Sequence, residues 1–97
     1  TGFDCSGYVC WVLNQTGTHV GSTTANGLLN KCDVIRPSEA RPGDLVFFQG
    51  TYNVSGASHC GIYVGDNMMI HCGNPISYAS ISSAYWQEHF YAYGRLR

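Results

Sequence analysis

The chain has 97 residues, 44% of them apolar and 11% charged, a length and balance that suit one domain around one modest hydrophobic core. The formal net charge is -1, and the five basic residues Lys31, Arg36, Arg41, Arg95 and Arg97 are scattered, which argues against nucleic acid as a partner. No apolar run approaches the ~20 residues needed to cross a bilayer, and no charged-then-apolar leader opens the chain, so no membrane insertion is expected of this segment.

Taken in chain order, Tyr8, Val9, Trp11, Val12 and Leu13 predict a helix over Cys5–Leu13, with Asp4 as its N-cap and Gly17 as its stop. Trp11, like Trp86 later, is expected to fill the core. A shorter helix is expected over Thr24–Lys31, capped by Ser22 or Thr23 and anchored by Leu28 and Leu29. The stretch Arg36–Gly43, with Pro37 and Pro42, reads as a surface connection that turns at Pro42-Gly43-Asp44 into a buried strand, Leu45–Phe48. Asp44 is expected to hold that turn by bonding nearby backbone. Gln49–Ala57 reads as a flexible loop that borders any site near His59. His59–Val64 and Met68–Cys72 form a β-hairpin, Ser82–His89 a short helical turn, and Phe90–Leu96 a last strand interrupted by Gly94. His19 and His89 read as surface or packing residues.

Side chains on a strand alternate faces, so the hairpin loop decides whether His59 and His71 can meet. A two-residue loop, Asp66-Asn67, would pair Ile62 with His71 and leave the histidines on opposite faces. A three-residue loop, Gly65-Asp66-Asn67, pairs Val64 with Met68 and Gly61 with His71, and puts both histidines on one face. The same register gathers Cys60, Ile62, Val64, Met68, Ile70 and Cys72 into an apolar set on the other face. Gly61 then lies between the histidines without a side chain to obstruct a substrate or an imidazole contact.

The five cysteines, Cys5, Cys10, Cys32, Cys60 and Cys72, lack the paired C-x2-C spacing of a structural zinc site, and neither a metal nor a cofactor is expected. An odd count leaves at least one thiol unpaired within the chain. Cys60 and Cys72 fall opposite each other in the hairpin register and read as two small buried hydrophobes rather than a disulfide.

A cysteine in the first turn of a helix meets unpaired backbone N–H groups and the positive end of the helix dipole, which favour thiolate over thiol. Cys5 stands there. His59 is a candidate to take its proton and return it to a leaving amine, His71 to orient His59, and the backbone N–H of Cys5 to contribute to an oxyanion hole.

Four blocks carry a further signal: Gly2-Phe3-Asp4-Cys5-Ser6-Gly7-Tyr8-Val9, Arg41-Pro42-Gly43-Asp44-Leu45-Val46-Phe47-Phe48, Ser58-His59-Cys60-Gly61-Ile62-Tyr63-Val64-Gly65, and Met69-Ile70-His71. In that order they resemble the NlpC/P60 family of cell-wall peptidases. The resemblance implies an α+β, reduced papain-like fold, in which an N-terminal helix carrying the nucleophile packs on an antiparallel β-sheet. It implies Cys5 as nucleophile, His59 as base and His71 as the third residue, with Asp4, Ser6, Ser58 and Gly61 lining the substrate cleft. The implied substrate is the peptidoglycan stem peptide, cut between D-glutamate and a diamino acid, at an extracellular or cell-wall location. A silent wall-binding module and a cysteine amidase or acyltransferase remain as alternatives. Residues 1–97 are expected to form one monomeric catalytic domain. Because the chain opens at Thr1, directly on the thiol block, it is expected to be part of a longer protein whose other segments supply export and wall attachment.

Overall fold

The computed structural model describes residues 5–21, 23–51, 53, 55–72 and 76–97. Asp4 and Ser22, expected to cap helices, lie outside those residues. The elements in chain order are α1 (Cys5–Gln15), α2 (Ala25–Asn30), β1 (Cys32–Ile35), a 3-10 turn (Pro37–Glu39), β2 (Leu45–Gln49), β3 (Ala57–Gly65), β4 (Met68–Cys72), β5 (Ile76–Ser80), α3 (Ala84–His89) and β6 (Phe90–Leu96). The strands form one antiparallel sheet in the order β1-β6-β2-β3-β4-β5. Among the described residues no helix is long and apolar enough to cross a membrane.

β2 explains why its sequence is continuously apolar. It lies inside the sheet, and both of its faces are covered. Leu45 and Phe47 point towards α1 and α2, where Val9, Cys10, Leu13, Ala25, Leu28 and Cys60 close the main core. Val46 and Phe48 point the other way, into a second cluster with Met69, Ile81 and Tyr93, flanked by Trp86 of α3. Period-two alternation thus sends one short run into two cores.

α1 runs two residues beyond the expected Leu13 and stops before Gly17, whose φ of 93° takes the left-handed conformation common at helix ends. In α2 the cap is Thr24 rather than Thr23, its hydroxyl accepting from the Gly27 N–H at 3.0 Å. Trp11 does not fill the core: it is 50% exposed on the outer side of α1. The hairpin corrects the loop but keeps the register. Asp66 and Asn67, with φ of 54° and 58°, form a two-residue turn between Gly65 and Met68. Val64 has no place in the ladder, so the chain bulges there and recovers the parity that a two-residue turn alone would lose. Ile62 therefore faces Ile70 and Tyr63 faces Met69, the register that sets Gly61 against His71. The bulge also takes Val64 off the core face, leaving it 38% exposed.

Two strands have no counterpart in the sequence reading. β1 and β5 are the edges of the sheet, short and largely exposed, so neither shows a hydrophobic alternation. β6 runs through Gly94 without interruption. A Cβ at Gly94 would lie 2.8 Å from the Cys32 Cβ and 3.0 Å from a Phe47 ring carbon, so glycine lets β6 pack closely between β1 and β2.

Candidate active site

Cys5 is the first residue of α1, half-buried, with its thiol directed at the Ser58 carbonyl 3.9 Å away. The sulfur thus lies over β3, just before the strand residue that carries the first imidazole. Several donors converge on it. A hydrogen bond from the Cys60 thiol is the strongest influence, opposed by burial and reinforced by the His59 imidazole and by the Cys60 backbone N–H. Together they bring the Cys5 pKa from 9.0 to about 4, so that the sulfur is a thiolate at neutral pH.

His59 and His71 meet as the alternation requires, His59 Nε2 lying 3.0 Å from His71 Nδ1, with both residues buried. The contact occupies Nε2 of His59 and leaves Nδ1 for the sulfur. Burial first, and the charge of His59 second, hold the His71 pKa below 6.5. A neutral His71 can accept from His59 Nε2–H and so hold the orientation and tautomer of the His59 ring beside the sulfur.

Gly61 is buried beside this pair. A Cβ there would lie 2.9 Å from Met69 Sδ, 3.1 Å from the Ile70 carbonyl and 3.2 Å from the His71 Cβ, so glycine lets β3 and β4 approach at the imidazoles. The Ser58 hydroxyl is 2.6 Å from the Thr51 hydroxyl and accepts from the Thr51 N–H at 3.1 Å, which fastens the 49–57 loop at the mouth of β3. Asn26 Oδ1 accepts from the Ala57 N–H at 3.2 Å and ties that loop to α2. Ser6, in the first turn of α1, is buried. Asp4 lies outside the described residues.

One residue beside the imidazoles was expected from the sequence only to fill the core, and is instead partly exposed. Trp86 stacks on His59 with ring centroids 5.2 Å apart and planes 21° from parallel, and meets His71 edge-on at 5.2 Å. Phe48 closes the same cluster, 4.6 Å from Trp86. The local pattern around Trp86 signals only a short helix; its contact with β3 and β4 arises because α3 folds back over the sheet. His19 is exposed, and His89 bonds the Gln49 carbonyl through Nδ1 at 2.8 Å and packs on Tyr85, away from the thiol. No disulfide joins any of the five cysteines, including Cys60 and Cys72.

A helix-head thiol against a strand-borne imidazole pair, on an α+β frame, is a papain-like arrangement. The chain belongs to the NlpC/P60 family, whose model matches residues 1–95. It is 40% identical to the bifunctional muramidase/DL-endopeptidase CwlT of Bacillus subtilis over 100 residues, covering 100% of this chain and 30% of that protein. It is 41% identical to the probable peptidoglycan endopeptidase LytE of the same organism, covering 93% of this chain and 26% of LytE. Among solved structures, an NLP/P60 family protein from Staphylococcus aureus, similar to lipoprotein, superposes with a TM-score of 0.93 at 38% identity, over 99% of this chain and 32% of that one. The chain thus spans about a third or less of the length of these relatives.

Proposed function

We propose that this domain is a peptidoglycan hydrolase, a cysteine endopeptidase that cuts stem peptides at the D-glutamyl–diamino acid bond. The observation that carries the reading is the convergence on one sulfur: Cys5, its pKa brought to about 4, beside an imidazole whose far nitrogen is held at 3.0 Å by a second. Family membership and the endopeptidase names of CwlT and LytE support the substrate class.

In this mechanism the Cys5 thiolate attacks the scissile carbonyl, and the oxyanion gathers at the backbone N–H of Cys5 at the start of α1. His59, protonated by the thiol, gives that proton to the leaving amine and leaves an acyl-enzyme. Neutral His59 then takes a proton from water, which attacks the thioester, releases the new carboxyl group and restores Cys5. His71 orients the ring through these exchanges without being consumed. Asp4, Ser6, Ser58 and Gly61 are assigned to the cleft that receives the peptide, Ser58 through the loop that it fastens. An extracellular or cell-wall location, with export and attachment supplied by other parts of a longer protein, belongs to the same proposal.

The test is product analysis by mass spectrometry on purified muropeptides. The expected products are fragments split after D-glutamate, with turnover abolished in Cys5→Ala while circular dichroism is unchanged. Equal turnover by Cys5→Ala, or binding without cleavage by the wild-type domain, overturns the reading.

A further inference from the structure

Beneath the head of α1 lies a second cysteine, Cys60, which makes or breaks no bond in the proposed peptidase reaction. Ser58 stands two residues before Cys60 on β3, and the Cys5 thiol lies at the Ser58 carbonyl, 3.9 Å away. Cys60 is fully buried in the cluster that includes Val9, one turn along α1 from Cys5 and on the same side of the helix. The two thiols are therefore neighbours, with Cys5 half-open to solvent and Cys60 sealed behind it.

We propose that Cys5 and Cys60 form a peroxide-responsive dithiol, in which a hydroperoxide oxidises Cys5 and Cys60 then closes onto it as a disulfide that masks the nucleophile reversibly. The inference rests on reading Cys5 as the reactive thiolate. In the first step the Cys5 thiolate attacks the terminal peroxide oxygen; the O–O bond breaks, sulfur loses two electrons to the peroxide, and the departing hydroxide or alkoxide takes a proton from His59 to leave as water or alcohol. In the second, Cys60 attacks the sulfur of the sulfenic acid, the S–O bond breaks, and hydroxide leaves as water with the Cys60 proton. A thiol reductant restores both cysteines by exchange.

The remaining cysteines are less suited to resolve Cys5. Cys10 points to the Thr23 carbonyl at 3.9 Å, and burial raises Cys32 to about 11, which leaves it protonated and unreactive. Cys72 is the competitor, because it lies across the strands from Cys60 and would draw it into a cross-strand bond instead.

The experiment is intact-mass spectrometry of the domain treated with hydrogen peroxide, before and after dithiothreitol, followed by peptide mapping. Wild type is expected to lose about 2 Da, to map to a Cys5–Cys60 link and to recover fully on reduction. Cys60→Ala, and Cys60→Ser as a variant nearer in volume, are expected to accumulate sulfinic and sulfonic acid at Cys5, with irreversible oxidation about tenfold faster than in wild type. Cys5→Ser is expected to show no loss of mass. A Cys60–Cys72 link in wild type, a disulfide retained in Cys5→Ser, or full recovery of Cys60→Ala on reduction overturns the proposal. None of these readouts needs cleavage of a wall peptide, so a domain that forms the link but leaves muropeptides intact would sink the peptidase reading and not this one.

Discussion

The pKa of Cys5 ties its chemistry to pH in a definite direction. With the value brought to about 4, the thiolate persists through the neutral range and is lost only when acid titrates the sulfur itself. Iodoacetamide labelling of Cys5 is therefore expected to reach half its maximal rate near pH 4, far below the 9.0 of an ordinary thiol. A midpoint above pH 7 in a rate-against-pH series would contradict the arrangement of donors around the sulfur. Trp86 acts on the same chemistry at one remove. Its stack on His59 fixes the plane of the imidazole and covers it from water, and aromatic contacts of this kind contribute about 0.5–1.5 kcal/mol. Trp86→Ala is expected to lower kcat about threefold to tenfold with little change in KM, and Trp86→Phe to recover most of the loss. Steady-state kinetics on a stem-peptide substrate separates this from a purely structural effect, which Phe at a half-buried site would not repair selectively in kcat.

At the scale of elements, the hairpin of β3 and β4 carries both imidazoles, and its register depends on two small devices. The bulge at Val64 restores the face that the two-residue turn at Asp66 and Asn67 would otherwise reverse. Gly61 then permits the close approach of the strands at the histidines. In Gly61→Ala the Met69 thioether can move aside, but the Ile70 carbonyl, 3.1 Å from the new carbon, belongs to the ladder and cannot. The strands are expected to part slightly there, at a cost of about 1–3 kcal/mol in urea unfolding. The 3.0 Å contact between the imidazoles should lengthen with them, slowing turnover beyond what the loss of stability explains. Unchanged unfolding and turnover would show that the strands do not depend on that approach.

Across the whole molecule, one buried carboxylate joins parts distant in sequence. Asp44 accepts from the Arg41 N–H at 2.8 Å, as its turn requires, and is also gripped by Arg95 of β6, Nε at 2.9 Å and Nη2 at 2.8 Å. The second nitrogen of that grip also donates to the Glu39 carbonyl at 3.2 Å, so the 3-10 turn, the entry to β2 and the end of β6 are tied together. Arg95 is 40% exposed, and solvent weakens the charge attraction, so the hydrogen bonds to the buried Asp44 carry most of the effect. Arg95 above all holds the Asp44 carboxyl below its ordinary value of 3.8. A group depressed in the folded state stabilises the fold fully above the unfolded value, and the contribution is lost as pH falls through the folded one. Asp44→Asn is expected to lower Tm by about 5 °C at neutral pH, with the gap to wild type constant down to about pH 5 and closing below about pH 4. Calorimetry across that range checks the sign, and a gap that widens in acid would refute it.

What the sequence by itself determined follows from short-range rules. A thiol in the first turn of an amphipathic stretch, a buried apolar run after a Pro-Gly-Asp turn, and two histidines that alternation can bring to one face were all legible, because period and residue type are local properties. The site's imidazole pair was readable for the same reason, even though the loop that achieves its register was not. Only the tertiary structure decided the rest: the edge strands β1 and β5, whose exposed residues carry no period; the exposure of Trp11 and the stacking of Trp86; the hold of Arg95 on Asp44; and the meeting of Cys5 with Cys60. Each of these either leaves no alternation to read or joins segments brought together by the packing of helices on the sheet, and no spacing along the chain encodes which partner arrives.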